Sequence, residues 1–402
     1  METRRHRLII VWLGVCEFCN DIIAVMGENN VALDVQRQEK ARQYACISRR
    51  LLLVDLAVTG VYTLVWLLCG WSADLRDALL TFTGSPWLLV AGFAIVFGGV
   101  YSLVNLPLAY YEGFALPHRF GQSTQTLRGW IVDQIKGGFL TGLLGILLLE
   151  IIYAVLRAAP QTWWLWAGVA LLFFNVVLTS LAPILLFPLF NKFVPLGDER
   201  KELSERLIAL AEHAGARVEG VYMFDMSRRT RSANAALTGL GKTRRIILGD
   251  TLLNEFSADE IETIMAHELG HQVNRDIPLG IAVGSVLTLG GLYLASLGLR
   301  WGVGYFGFES LVDVAAIPIF VLVMGLYALV TTPLSNAYSR WRERMADRYA
   351  LRLTGNGKAY AAALTRLANQ NLAEVDPEPW VEFLLHSHPV LQRRIAMAQE
   401  EG

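Results

Sequence analysis

The chain has 402 residues, 54% hydrophobic and 18% charged, with a mean hydropathy of +0.40. Soluble domains carry about 45–50% apolar residues and about 25% charge, so the composition excludes a wholly water-soluble protein, and the charges it keeps exclude one wholly sunk in lipid. With 35 basic and 36 acidic side chains, a net charge of −1, the chain lacks the basic excess of a nucleic-acid binder and no nucleic-acid partner is expected.

At the start, Arg4, Arg5 and Arg7 precede an apolar stretch, Leu8–Met26, that Glu17, Asn20 and Asp21 interrupt. No small-residue cleavage site follows, so a cleavable signal peptide is not expected. The stretch reads as a poor first membrane helix or an interfacial one. Cys16 and Cys19 form a C-x-x-C, but Cys46 and Cys69 do not complete a zinc-finger spacing, and free thiols are the expectation.

A helix needs about 20 apolar residues to cross a hydrocarbon core of about 30 Å. Six runs qualify: Leu51–Trp71, Pro86–Tyr110, Gly137–Leu156, Trp163–Phe190, Ile277–Leu299 and Leu311–Pro333. The expected fold class is therefore mainly α, a polytopic membrane protein with six transmembrane helices, or seven if residues 8–26 also span. The expected organisation is an N-terminal segment (1–50), four membrane helices (51–190), a soluble insert (191–276), two more membrane helices (277–333) and a C-terminal segment (334–402). Asp55 and Glu150 fall inside the spans and Asp313 near an end. Each is either a polar chamber wall or a charge near an interface that water reaches.

Basic residues sort the loops. The first, third and fifth gaps hold Arg76, Arg157 and Arg300 alone, whereas the others hold dense sets, from Lys192 to Arg275 and, after the sixth run, from Arg340 to Arg394. The positive-inside rule places both termini and both large polar segments in the cytoplasm.

Within the insert, Glu199–Ala216 reads as an amphipathic helix, and Val218–Phe224 and Arg245–Leu248 as strands. Ser257-Ala-Asp-Glu260 has the pattern of a capping box and opens a helix that Asp276-Ile-Pro278 ends. That helix carries His267-Glu268-Leu269-Gly270-His271. Positions i and i+4 share a helical face, so both imidazoles converge on one metal ion. Glu268, one residue round, is placed to take a proton from a water that zinc has acidified. A catalytic zinc takes a third protein ligand and keeps one position open. Glu343, in Ser339-Arg-Trp-Arg-Glu343-Arg-Met-Ala-Asp347-Arg-Tyr-Ala350, returns to the same membrane face, with Asp347 at i+4 able to accept the free ring N–H of a liganding histidine. Spacing alone leaves this segment open between a ligand with its supporting carboxylate and an arginine-rich surface helix laced with ion pairs. Downstream, Tyr338–Leu353 and Tyr360–Asn371 read as helices leading to His386-Ser-His-Pro389 and a basic tail helix.

From about Tyr44 to Ile395 the chain resembles the CaaX prenyl protease 1 family of membrane zinc metallopeptidases. The resemblance lies in Leu106–Lys136, Pro188-Leu-Phe-Asn-Lys-Phe-Val-Pro195, Asn234-Ala235 with Gly239, Gly241-Lys242-Thr243 and Arg245-Ile-Ile-Leu248. It continues in His267–His271, Glu343 with Ala346-Asp347, and Ser387-His388-Pro389 with Arg394. It implies a zincin-like metallopeptidase domain with a small β-sheet, one Zn2+ per chain held by His267, His271 and Glu343, and Glu268 as general base. It also implies that Asn234 and Ala235 lie on an edge strand that pairs with an extended substrate, that His388 and Arg394 line the cleft and stabilise the reacting carbonyl, and that the membrane helices enclose a chamber. Two departures stand out: Ser232 replaces a histidine that eukaryotic members often carry, and Leu8–Met26 stands where those members have a clear first membrane helix.

The expected activity is a metalloendopeptidase in a prokaryotic cell membrane. Its partners are membrane lipid and a polypeptide substrate at or near the membrane, lipidated ones included. A heat-shock-type quality-control peptidase of membrane proteins is the nearest alternative. A transporter or scaffold with structural zinc is the alternative of another class, and it would have no use for the base Glu268.

Overall fold

The structure, a computed structural model, describes residues 32–182, 186–239 and 244–401. Leu8–Met26, Cys16, Cys19 and Gly241-Lys242-Thr243 lie outside the described residues. The elements run α1 (Val35–Leu68), α2 (Trp71–Phe82), α3 (Pro86–Tyr110), α4 (Leu116–Arg119), α5 (Leu127–Ala158), α6 (Trp163–Leu181) and α7 (Phe187–Phe190). There follow β1 (Phe193–Pro195), α8 (Lys201–His213), β2 (Gly220–Phe224), β3 (Ala235–Thr238) and β4 (Arg245–Gly249). The chain ends with α9 (Asp250–Glu255), α10 (Ala258–Val273), α11 (Asp276–Phe306), α12 (Ile317–Thr354), α13 (Gly357–Gln370), α14 (Pro379–Leu385) and α15 (Leu391–Glu400). Among the described residues six helical segments are long and apolar enough to cross a membrane: Val35–Leu68, Pro86–Arg119, Leu127–Ala158, Trp163–Leu181, Asp276–Phe306 and Val314–Thr354.

Two of these differ from the apolar runs in an informative way. Helix α1 begins at Val35, well ahead of Leu51, because its polar first half docks on the C-terminal segment. Arg37 Nη1 donates to Asn369 O at 2.9 Å, Gln38 Nε2 to Ala373 O at 3.2 Å, and Arg49 Nη1 to Glu374 Oε2 at 2.8 Å. Hydropathy sees only the lipid half of such a helix. Helix α12 continues through Pro333 to Thr354, where the sequence suggested a break followed by a separate helix at Tyr338. Pro333 cannot donate to the Leu329 carbonyl one turn back, while the Thr331 and Thr332 hydroxyls bond to the neighbouring Tyr327 and Ala328 carbonyls. The helix is nonetheless continuous from the apolar run into the polar segment.

The sheet has the order β1-β2-β4-β3. β2 and β4 are parallel, and β3 pairs antiparallel with β4 in the register Ala235↔Leu248, leaving β3 with one open edge. The amphipathic α8 buries Leu203, Leu207 and Leu210 in a core shared with Ile246, Leu248, Ile261, Met265 and Leu269. A second core, among the apolar helices, contains Trp66, Phe93, Trp163, Leu292 and Leu299. Of the carboxylates in or near the spans, Asp313 caps the turn before α12, accepting from Ala315 N–H at 2.9 Å and pairing with Arg76 at 2.5 Å. Asp55 accepts from Asn105 Nδ2 at 3.1 Å.

Candidate metal centre

The site starts at the N-terminus of α10. Ser257 Oγ accepts from the Glu260 N–H at 3.3 Å and Glu260 Oε2 accepts from the Ser257 N–H at 2.8 Å, so the helix begins where the capping pattern says and each of its faces is set. Between the two histidines sits Gly270, packed on α12. A Cβ there would stand 3.0 Å from Ala346 Cα and 3.1 Å from Ala346 O, against backbone that could give only by shifting the helices. The glycine permits this approach of α10 to α12, and the approach brings Glu343 and Asp347, one turn apart on α12, against His267.

Three side chains then converge. His267 Nε2 lies 3.2 Å from His271 Nε2 and 3.3 Å from Glu343 Oε2, and His271 Nε2 lies 3.5 Å from Glu343 Oε1. The ligand atoms of the trio all fall within 4.8 Å of one another. Glu343 Oε2 is buried without a hydrogen-bond partner, a condition that costs free energy unless something else satisfies the oxygen.

Behind the trio each imidazole is held by a carboxylate. His267 Nδ1 is 2.9 Å from Asp347 Oδ1, and His271 Nδ1 is 2.6 Å from Asp276 Oδ2, whose Oδ1 accepts from Arg342 Nε at 2.6 Å. A carboxylate at Nδ1 draws the ring proton there and leaves Nε2 as a lone-pair donor. Two neutral Nε2 atoms and a carboxylate facing one another repel through their lone pairs, and a divalent cation with nitrogen and oxygen preference answers all three. The donor set therefore fits zinc.

Asp276 was not among the residues sequence reasoning picked out. It follows the α10–α11 joint, where Arg275 takes a left-handed φ of 56°, and in the sequence it reads only as the end of a helix. The carboxylate five positions after the second histidine was the available signal. Tyr360 was also missed. It lies on α13, 1% exposed, with its hydroxyl 2.6 Å from Asp347 Oδ1, and in the sequence it reads as a core aromatic.

A cavity of about 580 Å³ opens on His267, lined also by Asn234, Ala235, Glu268, His388 and Arg394, with Leu252, Ile264 and Leu364 as apolar wall. Ala235 opens the open-edged β3 and Asn234 immediately precedes it. Burial pushes the Glu268 carboxyl above its ordinary range, towards that of a general base working near neutral pH. Burial alone would lower the His267 pKa, but the Asp347 and Glu343 carboxylates beside it win and raise it to about 9. His388 Nε2 lies 3.3 Å from Glu343 Oε1 and its Nδ1 3.0 Å from Ser387 Oγ, and partial burial holds its pKa below the ordinary value. Arg394 lines the cavity, yet its Nε and Nη2 are directed at Asp347, at 2.9 and 2.6 Å, rather than into open space.

With this geometry in view, the likenesses to other proteins are specific. Residues 198–401 match peptidase family M48, a family of zinc metallopeptidases, and residues 29–192 match the CAAX prenyl protease N-terminal domain of five membrane helices. The chain is 32% identical over 365 residues to the uncharacterized metalloprotease YhfN of Bacillus subtilis, covering 90% of this chain and 85% of that one. It is 32% identical to CAAX prenyl protease 1 of Saccharomyces cerevisiae, over 73% of this chain and 68% of the relative. To the CAAX prenyl protease 1 homolog of Arabidopsis thaliana it is 34% identical, over 73% and 69%. Its fold matches the crystal structure of S. mikatae Ste24p with a TM-score of 0.83 at 25% identity, covering 94% of this chain and 91% of the other.

Proposed function

Since the chain belongs to peptidase family M48 and is a multi-pass membrane metallopeptidase, we propose that His267, His271 and Glu343 hold a single zinc ion and that Glu268 is the general base of peptide-bond hydrolysis. The observation that carries this reading is the convergence of two Nε2 atoms and one carboxylate, with both Nδ1 atoms held by acids. Zinc held there supplies Lewis acidity, making a water acidic near neutral pH and polarising the scissile carbonyl.

The remaining steps belong to the chain's own groups. An extended polypeptide adds to the open edge of β3 at Asn234 and Ala235, so that main-chain hydrogen bonds fix its register across the cavity. Glu268, lining the same cavity, takes a proton from the attacking water and returns it to the leaving amine. His388, beside Glu343 at the cavity mouth, donates to the carbonyl oxygen as negative charge develops there. Arg394 supports Asp347 and, through it, His267. The scaffold reading with structural zinc gives way, because the family is one of peptidases.

The substrate is a polypeptide presented at the membrane, lipidated C-termini included; relatives at 32–34% identity bear the name CAAX prenyl protease 1. The basic loops support a cytoplasmic face for the catalytic segments, in a prokaryotic cell membrane. Metal analysis of protein purified without added metal tests the cofactor: one zinc per chain is expected, and peptidase activity in metal-free protein contradicts it. Comparing membrane proteomes with and without the active enzyme identifies the substrate, as fragments that only the active enzyme produces.

A further inference from the structure

Tyr360 sits on α13, which contributes nothing to the trio itself, yet its hydroxyl is the hub of the contacts behind His267. A buried tyrosine hydroxyl needs partners, and this one has three near it. Asp347 Oδ1 is at 2.6 Å, Arg394 Nη2 at 3.1 Å and His267 Nδ1 at 3.1 Å. Arg394 closes the arrangement by donating Nε to Asp347 Oδ2 at 2.9 Å and Nη2 to Oδ1 at 2.6 Å.

The donor inventory fixes which way each bond runs. Arginine carries donors only, and an ionised aspartate accepts only. The Arg394 Nη2 therefore donates to the tyrosine oxygen, and the one hydroxyl proton goes to Asp347. What Tyr360 then turns towards His267 is a lone pair, beside the lone pairs of Asp347 Oδ1 at 2.9 Å. Two acceptors flank Nδ1 and hold a proton on it. Nε2 is left unprotonated, facing His271 and Glu343. We propose that the Tyr360 hydroxyl, oriented by Arg394, is a positioning group that fixes both the Asp347 carboxylate and the Nδ1–H tautomer of His267, so that His267 presents Nε2 to the metal. The inference rests on the reading of His267 as a ligand.

Tyr360 also packs in the core with Met265 and Leu364, and a packing role alone predicts something different. Tyr360→Phe keeps the ring and removes only the oxygen. In full-length protein reconstituted in bilayer discs, with zinc affinity measured by chelator competition, its zinc Kd should rise about 10-fold or more, as for other partners that orient a liganding histidine. Leu207→Ala, in the same core and remote from the polar contacts, should lower the melting temperature and leave the zinc Kd unchanged. The effect of Tyr360→Phe should largely vanish when Asp347 is already Asn, because the hydroxyl acts through that carboxylate. Arg394→Lys keeps the charge, loses the planar fork that orients the hydroxyl, and should weaken zinc in the same direction. A wild-type zinc Kd in Tyr360→Phe, or an effect that adds in full to that of Asp347→Asn, overturns the proposal. Should Tyr360→Phe fail to fold, an unchanged Kd in Arg394→Lys does so. A His267→Ala variant that binds zinc like wild type would instead remove the ligand reading, which keeps the two failures apart.

Discussion

His267 Nε2 and His271 Nε2 stand 3.2 Å apart across one turn of α10, nearer than two neutral acceptors tolerate. Without metal, the Asp347 and Glu343 carboxylates beside His267 hold a second proton on its ring and raise its pKa from 6.5 to about 9. Zinc must displace that proton, so its binding should release a proton and tighten as pH rises from 6.5 towards 9. For the metal-free protein the sign is opposite. A folded-state pKa above the unfolded value adds stability that is fully present below about pH 6.5 and lost as pH rises through 9. Melting of metal-free protein should therefore fall between pH 6.5 and 9, and a His267→Gln variant should lose most of that slope; a flat wild-type profile would contradict the arrangement.

Glu343 and Asp347 divide their roles along one face of α12. With Glu343 as the proposed third ligand, Glu343→Ala should abolish zinc retention through dialysis against a chelator. Asp347→Ala and Asp276→Ala each remove only the acid behind an imidazole and should weaken zinc by about 10–100-fold. Full zinc occupancy in dialysed Glu343→Ala would show that the third ligand lies elsewhere.

His388 is exposed at the cavity mouth, 3.3 Å from Glu343. A donor that meets its acceptor only once charge has formed affects turnover rather than binding, so His388→Ala should keep zinc and KM while kcat falls about 10²–10³-fold. Single-turnover kinetics on zinc-loaded variant checks this. Normal turnover with a lowered melting temperature would reduce His388 to a packing role.

Orientation in the membrane follows from arginine and lysine. Cysteines placed at Thr162 and Gly304, in a background without the native thiols, should label from outside intact cells. One at Lys358, exposed in the first turn of α13, should label only after the membrane is opened. Outside labelling at Lys358 would invert the topology.

Much of this was legible in the sequence because it rests on local periodicity. The apolar runs placed the long helices, and the capping box placed α10 with the His267–His271 spacing on it. What the sequence left open is what tertiary contact decides. Spacing alone could not tell Glu343 from a surface ion pair; the close approach at Gly270 and Ala346 brings it beside His267. The polar half of α1 looked like a tail because its partners, Asn369, Ala373 and Glu374, are remote in sequence. Asp276 and Tyr360 carry no periodic signal. They matter through contacts with single imidazole nitrogens, which no window of neighbouring residues reports.

On the proposed mechanism Glu268 moves the proton and does not hold the metal. Its direct test is turnover of zinc-loaded Glu268→Ala on a peptide that the wild-type enzyme cleaves. Loss of a positioned acid–base group typically costs about 10²–10⁴-fold in rate. Full zinc content with cleavage reduced by at least that lower bound is expected, whereas wild-type turnover in the zinc-loaded variant would remove Glu268 from the proton transfer.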